Sequence, residues 1–235
     1  MVAIFKSAAL EVRKQWQLFL FTVVLSVIFQ MDYGIGDENF GFVLLIAIPY
    51  FFWIIYTFYM TKLINQKREH PNTTLLTLLK DYFKNAHNLF IPMIGLMIGI
   101  VVSMMIIITM VYGFFNIFGI ENTSSIFDSS PTDLNFILFY LMFSIASAFL
   151  SFHGVLYFIK EQPFFKALKN SIIVAKEHLE ITLLIGIIYF IITCVISLIN
   201  ADTWYKNVIN GLIYGVEYFY LATVVVIYYV KKIKD

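Results

Sequence analysis

Charged residues are scarce in this chain, and their scarcity excludes a water-soluble globular domain. Only 13% of the 235 residues are Asp, Glu, Lys or Arg, whereas 60% are hydrophobic. Soluble domains carry roughly 25% charged and roughly 45–50% apolar residues. Because so few polar side chains cannot cover a surface that faces water, most of the chain must be solvated by lipid. We therefore expect an all-α membrane protein.

Cysteine and histidine are also too few for the usual reactive or metal-binding motifs. The single cysteine, Cys194, lies inside an apolar run and cannot form an internal disulfide. The four histidines are scattered, with no His-Glu-x-x-His, Cys-x-x-Cys or paired-carboxylate pattern. We expect no catalytic residue, metal or cofactor, and hence a protein that is not an enzyme. The net charge of +1 gives no field that would attract nucleic acid.

Long apolar runs, in contrast, occupy most of the chain. A helix needs about 20 apolar residues to cross about 30 Å of hydrocarbon. Helices are expected because each one satisfies its own backbone hydrogen bonds within the bilayer. The sequence predicts a single transmembrane domain, 1–235, with six spans at 15–31, 41–61, 90–118, 134–159, 180–199 and 208–230.

The basic residues predict the orientation of these spans. All but one of the 16 Lys and Arg residues fall before span one, between spans two and three, between spans four and five, or after span six, and Lys206 is the exception. The opposite loops carry acidic residues, namely Asp32, Asp37, Glu38, Glu121, Asp128, Asp133 and Asp202. Loops rich in Lys and Arg stay in the cytoplasm. Together with a composition typical of an AT-rich bacterial genome, this pattern predicts a multi-pass bacterial plasma-membrane protein with both termini in the cytoplasm.

Three amphipathic segments lie on the basic side, each directly before an odd-numbered span. Apolar residues recur along them at spacings of three and four, which places them on one helical face. The members are Ile4, Phe5, Ala8, Ala9, Val12 and Trp16 in the first segment, Leu75, Leu79, Tyr82, Ala86 and Leu89 in the second, and Phe165, Leu168, Ile172, Ala175 and Leu179 in the third. We expect these helices to lie in the headgroup plane of the membrane. The lysines expected to face lipid headgroups are Lys80, Lys84, Lys166, Lys169 and Lys176.

This order of elements predicts a threefold helical repeat. Each unit would comprise an interfacial helix, an outward span, a short acidic loop and a returning span, over residues 1–62, 71–160 and 161–231. Leu79-Lys80-Asp81 matches Leu168-Lys169-Asn170, and Ala86 matches Ala175. The alternative is that any loop on the inner side tends to become amphipathic, which would give the similarity without a repeat.

One segment carries a resemblance to a known group of proteins. Pro163-Phe164-Phe165-Lys166-Ala167-Leu168-Lys169-Asn170-Ser171 runs directly into the fifth span. It resembles the signature of a diffuse group of bacterial six-span integral membrane proteins, which includes the membrane domain attached to some glycerophosphodiester phosphodiesterases. The resemblance implies the six-span fold and almost nothing about chemistry, because no soluble segment is large enough to be a phosphodiesterase domain.

Glu217 is the only acidic or basic side chain deep in any predicted span. A charge at that depth costs about 2.5–3.5 kcal/mol on insertion scales. We therefore expect the carboxyl to hold its proton and to donate a hydrogen bond. Two interpretations stay open. Glu217 either forms a proton or substrate site with His153, Tyr214, Ser147 and Ser151, or it makes a packing bond between helices.

Small residues predict where helices approach one another closely. Gly95 and Gly99 form a Gly-x-x-x-Gly pair in span three, and Gly211 and Gly215 form another in span six. Such pairs let helix backbones come into contact within a membrane. We expect these four glycines to be packing positions.

The pattern favours a transport-associated role, as a permease-like or accessory subunit of an exporter. Its first two interfacial helices resemble the elbow and coupling helices of six-span exporter permeases, whose ATPase would then be a separate subunit. A second hypothesis is a lipid-interacting scaffold, or a protein that confers tolerance or immunity to a membrane-active peptide. An intramembrane enzyme is the least favoured hypothesis. The expected partners are membrane lipids, with an ATPase subunit or a second copy of the chain as further alternatives.

Overall fold

The computed structural model describes residues 1–30, 40–95, 98, 109, 134–199 and 204–233. These residues are helical nearly throughout, and no strand occurs among them, which confirms the predicted all-α class. Residues 90–95 are also helical. The helices are α1 (Val2–Lys14), α2 (Trp16–Gln30), α3 (Phe40–Glu69), α4 (Leu75–Asn85), a 3₁₀ helix (Ala86–Leu89), α5 (Leu134–Leu150), α6 (His153–Phe158), α7 (Phe164–Glu177), α8 (Leu179–Leu198) and α9 (Trp204–Lys232).

Several of these helices are long and apolar enough to cross a membrane. By length and composition, three described segments qualify: Tyr140–Phe158, Leu179–Leu198 and Tyr205–Lys232. The pair α1 and α2 qualifies jointly, but the two helices are bent by 88° at the break between them. The three segments coincide with predicted spans four, five and six. Most of predicted span three lies outside the described residues, as do Gly99 and the seven acidic residues of the predicted outer loops.

Two boundaries differ from the predicted spans, and each has a local cause. α3 continues past residue 61 to Glu69, because Leu63 and Ile64 are buried and basic residues in its last turn favour the negative end of the helix dipole. Predicted span four is interrupted by a turn at Ser151. The Ser151 hydroxyl donates to the Ala148 carbonyl at 2.7 Å, a local bond that competes with regular helix geometry.

Three helices form a central group, and the others pack on it or on one another. α3, α6 and α9 contact one another, and their fully buried side chains include Tyr59, Phe152 and Tyr229. α2 packs lengthwise on α9, and α8 packs on α5. The outer helices α2 and α8 also present exposed aliphatic side chains, among them Leu20 and Ile187.

The short amphipathic helices follow a cyclic order. α4 packs on α3, α7 packs on α5 and α6, and α1 packs on α9. Each short helix therefore contacts a helix of the preceding predicted unit. For α1, which begins the first unit, that helix is α9 of the last unit. This arrangement brings the beginning and the end of the described chain together.

Candidate functional site

The amphipathic helices present two apolar faces rather than one. α7 packs against the protein through Phe164, Ala167, Ser171 and Ala175, which are all buried. Small side chains dominate this face, and the Ser171 hydroxyl donates to the Phe149 carbonyl of α5 at 2.9 Å. The larger apolar residues of the predicted stripe lie on the exposed side instead, namely Phe165, Ile172 and Leu179.

α4 has the same arrangement. Leu78 and Tyr82 are buried in the protein core, while Leu76 and Phe83 are 64% and 66% exposed. All five lysines that the sequence places at headgroups are exposed: Lys80, Lys84, Lys166, Lys169 and Lys176. Exposed lysines beside exposed leucine and phenylalanine form a surface that is both cationic and apolar, which is the composition of helices that lie at a membrane surface.

An ion-pair network fixes α4 to α3. The carboxylate of Asp81 accepts hydrogen bonds from Lys62 Nζ at 2.9 Å and from the Tyr59 hydroxyl at 2.8 Å. Asn85 donates to its other carboxylate oxygen at 2.9 Å, and Gln66 contributes a longer bond of 3.3 Å. The Lys62 ammonium also lies 4.8 Å from the centre of the Tyr59 ring, within the range of a cation–π interaction. Five side chains from two helices thus hold α4 in one orientation.

The network also sets the acidity of Asp81. Partial burial would raise the pKa of this carboxyl, but the bonds from Lys62, Tyr59 and Gln66 and the Lys62 charge outweigh burial. The pKa of Asp81 therefore lies below its ordinary value of 3.8. Asp81 stays ionised at neutral pH, and its negative charge balances the positive charge of Lys62.

Two of the amphipathic helices end at a polar residue that bonds to a central helix. Gln15, between α1 and α2, donates through Nε2 to the Ile64 carbonyl of α3 at 3.2 Å. His178, between α7 and α8, shares a hydrogen bond with the Tyr228 hydroxyl of α9 through Nδ1, at 3.0 Å. The backbone angles of both residues are not helical, so the chain changes direction there.

Glu217 occupies the middle of α9 and is only 5% exposed. It lines an apolar groove of about 340 Å³ whose described walls are α8 and α9 alone, including Ile188, Ile192 and Val216. Tyr220 lines the same groove, and its hydroxyl donates to the Phe5 carbonyl of α1 at 3.1 Å. Tyr189 of α8 is close enough to interact electrostatically with the Glu217 carboxyl.

The other members of the predicted Glu217 site make contacts elsewhere. His153 lies in the central group, where its Nε2 is 3.2 Å from the Phe164 carbonyl and its ring is 4.8 Å from that of Phe58. Tyr214 stacks on Tyr218 of its own helix, with ring centres 5.8 Å apart. Ser147 is half-buried on α5, and Ser151 bonds within its own turn. None of these four residues lines the groove beside Glu217.

The predicted glycine positions differ in how closely they approach a neighbour. Gly211 and Gly215 face α2 so tightly that a Cβ atom on Gly215 would stand 2.7 Å from the Val23 Cα, and one on Gly211 would overlap the Val27 backbone. Gly95 has ordinary clearance, since a Cβ atom there would lie 3.7 Å from the Phe165 ring.

The sequence alone does not predict the Asp81 network. Lys62 lies just after predicted span two and Asp81 in the second amphipathic segment, and nothing in the sequence pairs them. One part of the network can be predicted from the sequence: Tyr59, Lys62 and Gln66 share one face of a helix, because they are spaced by three and four residues. Their convergence on a carboxylate of a different helix is a tertiary feature.

Comparisons of the chain with known protein families, with curated proteins and with solved structures give no match. The resemblance of residues 163–171 to the six-span membrane proteins therefore stays a prediction.

Proposed function

We propose that the chain is a non-enzymatic, lipid-interacting scaffold of the bacterial plasma membrane. It would have six spans in three units, with both termini in the cytoplasm and α1, α4 and α7 lying on the cytoplasmic leaflet. The finding that carries this proposal is the common register of exposed apolar residues along the three units.

The register is defined by two constant offsets, 74 residues from the first unit to the second and 89 residues from the second to the third. At these offsets, large exposed apolar residues coincide in all three units. The matched sets are Val2, Leu76 and Phe165, then Trp16, Phe90 and Leu179, then Leu20, Ile94 and Leu183, and finally Val24, Ile98 and Ile187. Equivalent positions of the three units would thus each offer an apolar surface to lipid.

The buried positions follow the same offsets. Ile4, Leu78 and Ala167 coincide and are buried, as are Ala8, Tyr82 and Ser171. The break after the amphipathic helix falls at Gln15 in the first unit and at His178 in the third, and in the second unit the 3₁₀ helix that follows α4 ends at the equivalent position, Leu89. Helical periodicity could align one face of one helix, but it does not force the break and the following helix into the same register. This agreement supports a true repeat over the alternative of independent amphipathic loops.

Basic residues follow the same register as the exposed apolar residues. Lys6, Lys80 and Lys169 occupy one position of the register, and all three are exposed. A lysine near an anionic leaflet contributes about 1 kcal/mol of attraction, and its alkyl stem can lie along the apolar surface. Each unit therefore offers the same combination of an inserted apolar side chain and a cation at headgroup level.

The experiment compares the lipids that copurify with the protein after mild detergent extraction. The test variant carries Lys6→Ala, Lys80→Ala and Lys169→Ala, and the matched control carries Arg at the same three positions. We expect the anionic share of retained lipid to fall several-fold in the Ala variant and to persist in the Arg variant. An equal anionic share in both would contradict the proposal.

A transport-associated role is the second candidate, and the 88° bend between α1 and α2 favours it. An amphipathic helix that turns sharply into a span resembles the elbow of exporter permeases. In the described residues, however, the central helices are filled by buried Tyr59, Phe152 and Tyr229, which a transport path between them would have to displace. Recovery of a separate ATPase with the tagged chain would support this role, and an ATPase-free preparation would count against it.

A further inference from the structure

A groove of about 630 Å³ lies between α2 and the start of α4. Its walls come from two different predicted units, because α2 belongs to the first unit and the loop and α4 belong to the second. One end of the groove is apolar and the other is polar. This gradient has the form of a site for an amphiphile rather than for a water-soluble ligand.

The polar end is built around Lys67. Its ammonium donates to the Pro71 and Thr73 carbonyls, both at 2.6 Å. Carbonyl oxygens carry no formal charge, so these bonds orient the ammonium and leave its positive charge in place. A lysine has three donors, and these bonds use two of them.

The start of α4 adds to this positive end. Thr74 caps the helix by accepting a hydrogen bond from the Thr77 backbone N–H. The first-turn residues Leu75 and Leu76 line the groove, and first-turn N–H groups have no partner within the helix. A lysine ammonium beside a helix N-terminus is a setting that favours phosphate.

The apolar end is formed by Leu20 and Val24 of α2 together with Leu76 of α4, all of them exposed. Trp16, the first residue of α2, also lines the groove and is 56% exposed. Tryptophan is enriched at the boundary between headgroups and hydrocarbon. An acyl chain along Leu20 and Val24 would place its phosphate near Lys67.

We propose that this groove holds one anionic glycerophospholipid, with the phosphate at Lys67 and an acyl chain along α2. The described lining residues include one ammonium and no carboxylate, so a headgroup with net negative charge is complementary. A zwitterionic headgroup would bring a second cation that finds no counter-charge there. The inference rests on the proposed function, since it requires α4 to lie at the leaflet surface.

Trp16 provides a built-in probe. With Trp53→Phe and Trp204→Phe as the background, Trp16 is the only tryptophan left among the three in the sequence. The full chain is reconstituted in zwitterionic vesicles that contain a small fraction of phosphatidylglycerol or phosphatidylcholine with brominated acyl chains, which quench nearby tryptophan. We expect Trp16 quenching to saturate at a lower fraction of the anionic lipid, by about fivefold.

Three variants test whether the preference for the anionic lipid arises at Lys67. Lys67→Ala is expected to abolish the preference for the anionic lipid. Because Lys67 also supports the loop, Asn72→Asp is the second variant. It adds a carboxylate to the groove while Lys67 is retained, and it is also expected to abolish the preference. Lys232→Ala, an exposed lysine at the end of α9 that neither lines the groove nor belongs to the common register, is the matched control and should keep the preference.

Each result decides between the two proposals. Equal quenching by both lipids in the parent protein would overturn the groove site. An equal loss in Lys67→Ala and Lys232→Ala would also overturn it, while still supporting general attraction of anionic lipid to the leaflet surface. Absence of quenching by either brominated lipid would remove Trp16 from the membrane and overturn the proposed function itself.

Discussion

Gly215 of α9 lies against Val23 of α2, so closely that a Cβ atom on the glycine would stand 2.7 Å from the Val23 Cα. Gly211, one turn earlier, is equally confined by Val27. This contact joins helices of the first and the last predicted units. The stability of the whole bundle should therefore depend on these two glycines.

Gly211→Ala and Gly215→Ala are each expected to lower the thermal stability of the detergent-solubilised protein. The added methyl group meets backbone, which cannot rotate away, and overpacking of this kind costs about 1–3 kcal/mol. Gly95→Ala is the matched control, since its methyl group would have ordinary clearance of 3.7 Å from Phe165. Melting curves followed by size-exclusion chromatography would measure the difference. Unchanged melting of both α9 variants would show that α2 and α9 do not pack as described.

Asp81→Asn is expected to destabilise the protein in a pH-dependent way. Because the pKa of Asp81 is lower when folded than its ordinary 3.8, the ionised carboxylate contributes stability at all pH values well above 3.8. That contribution is lost as the pH falls through the folded pKa. The stability gap between the parent and the variant should thus be constant from about pH 7 to about pH 5 and should shrink below about pH 4.

Thermal melts of Asp81→Asn, Lys62→Met and the double variant would separate the ion pair from the single side chains. Loss of one partner leaves the other charge unpaired, so we expect the double variant to be less impaired than the sum of the two single variants. A pH-independent gap, or strictly additive effects, would contradict the described network.

The single cysteine allows a direct test of orientation. In a Cys194→Ser background, a cysteine placed at Lys84 should react with a membrane-impermeant maleimide only after the cells are opened. A cysteine at Asp128 should react in intact cells. The expectation follows from the distribution of Lys and Arg, which retains basic segments in the cytoplasm. Labelling of both positions in intact cells would refute the proposed topology.

Glu217→Gln is expected to leave expression and monodispersity largely unchanged. Glutamine has nearly the same shape and can still donate a hydrogen bond in the groove between α8 and α9. Glu217→Lys should reduce the yield, because it places a cation against Ile188, Ile192 and Val216. Loss of expression with glutamine would instead indicate a carboxylate that must be ionised and paired.

Local features of the sequence were sufficient for the class of fold and for most helix positions. Hydropathy predicted spans near Leu179–Leu198 and Tyr205–Lys232, because transfer into lipid depends on the side chains of one segment alone. Helical spacing likewise predicted the amphipathic helices before α2 and α8. Hydropathy does not predict the turn at Ser151. The Ser151 hydroxyl bonds to the backbone and competes with regular helical hydrogen bonds, and a hydropathy average contains no term for such a bond.

Composition and helical spacing alone predict a helical, apolar chain suited to lipid, with amphipathic helices directly before α2 and α8. Which apolar face packs against protein and which stays exposed depends on how the helices fold together. In α7, Ala167 and Ser171 pack inward while Phe165 and Ile172 stay outside, although hydropathy would assign them the other way. Lipid and the protein interior are both apolar, so hydrophobicity does not distinguish them. Close contact between helices depends instead on small side chains that let the backbones approach.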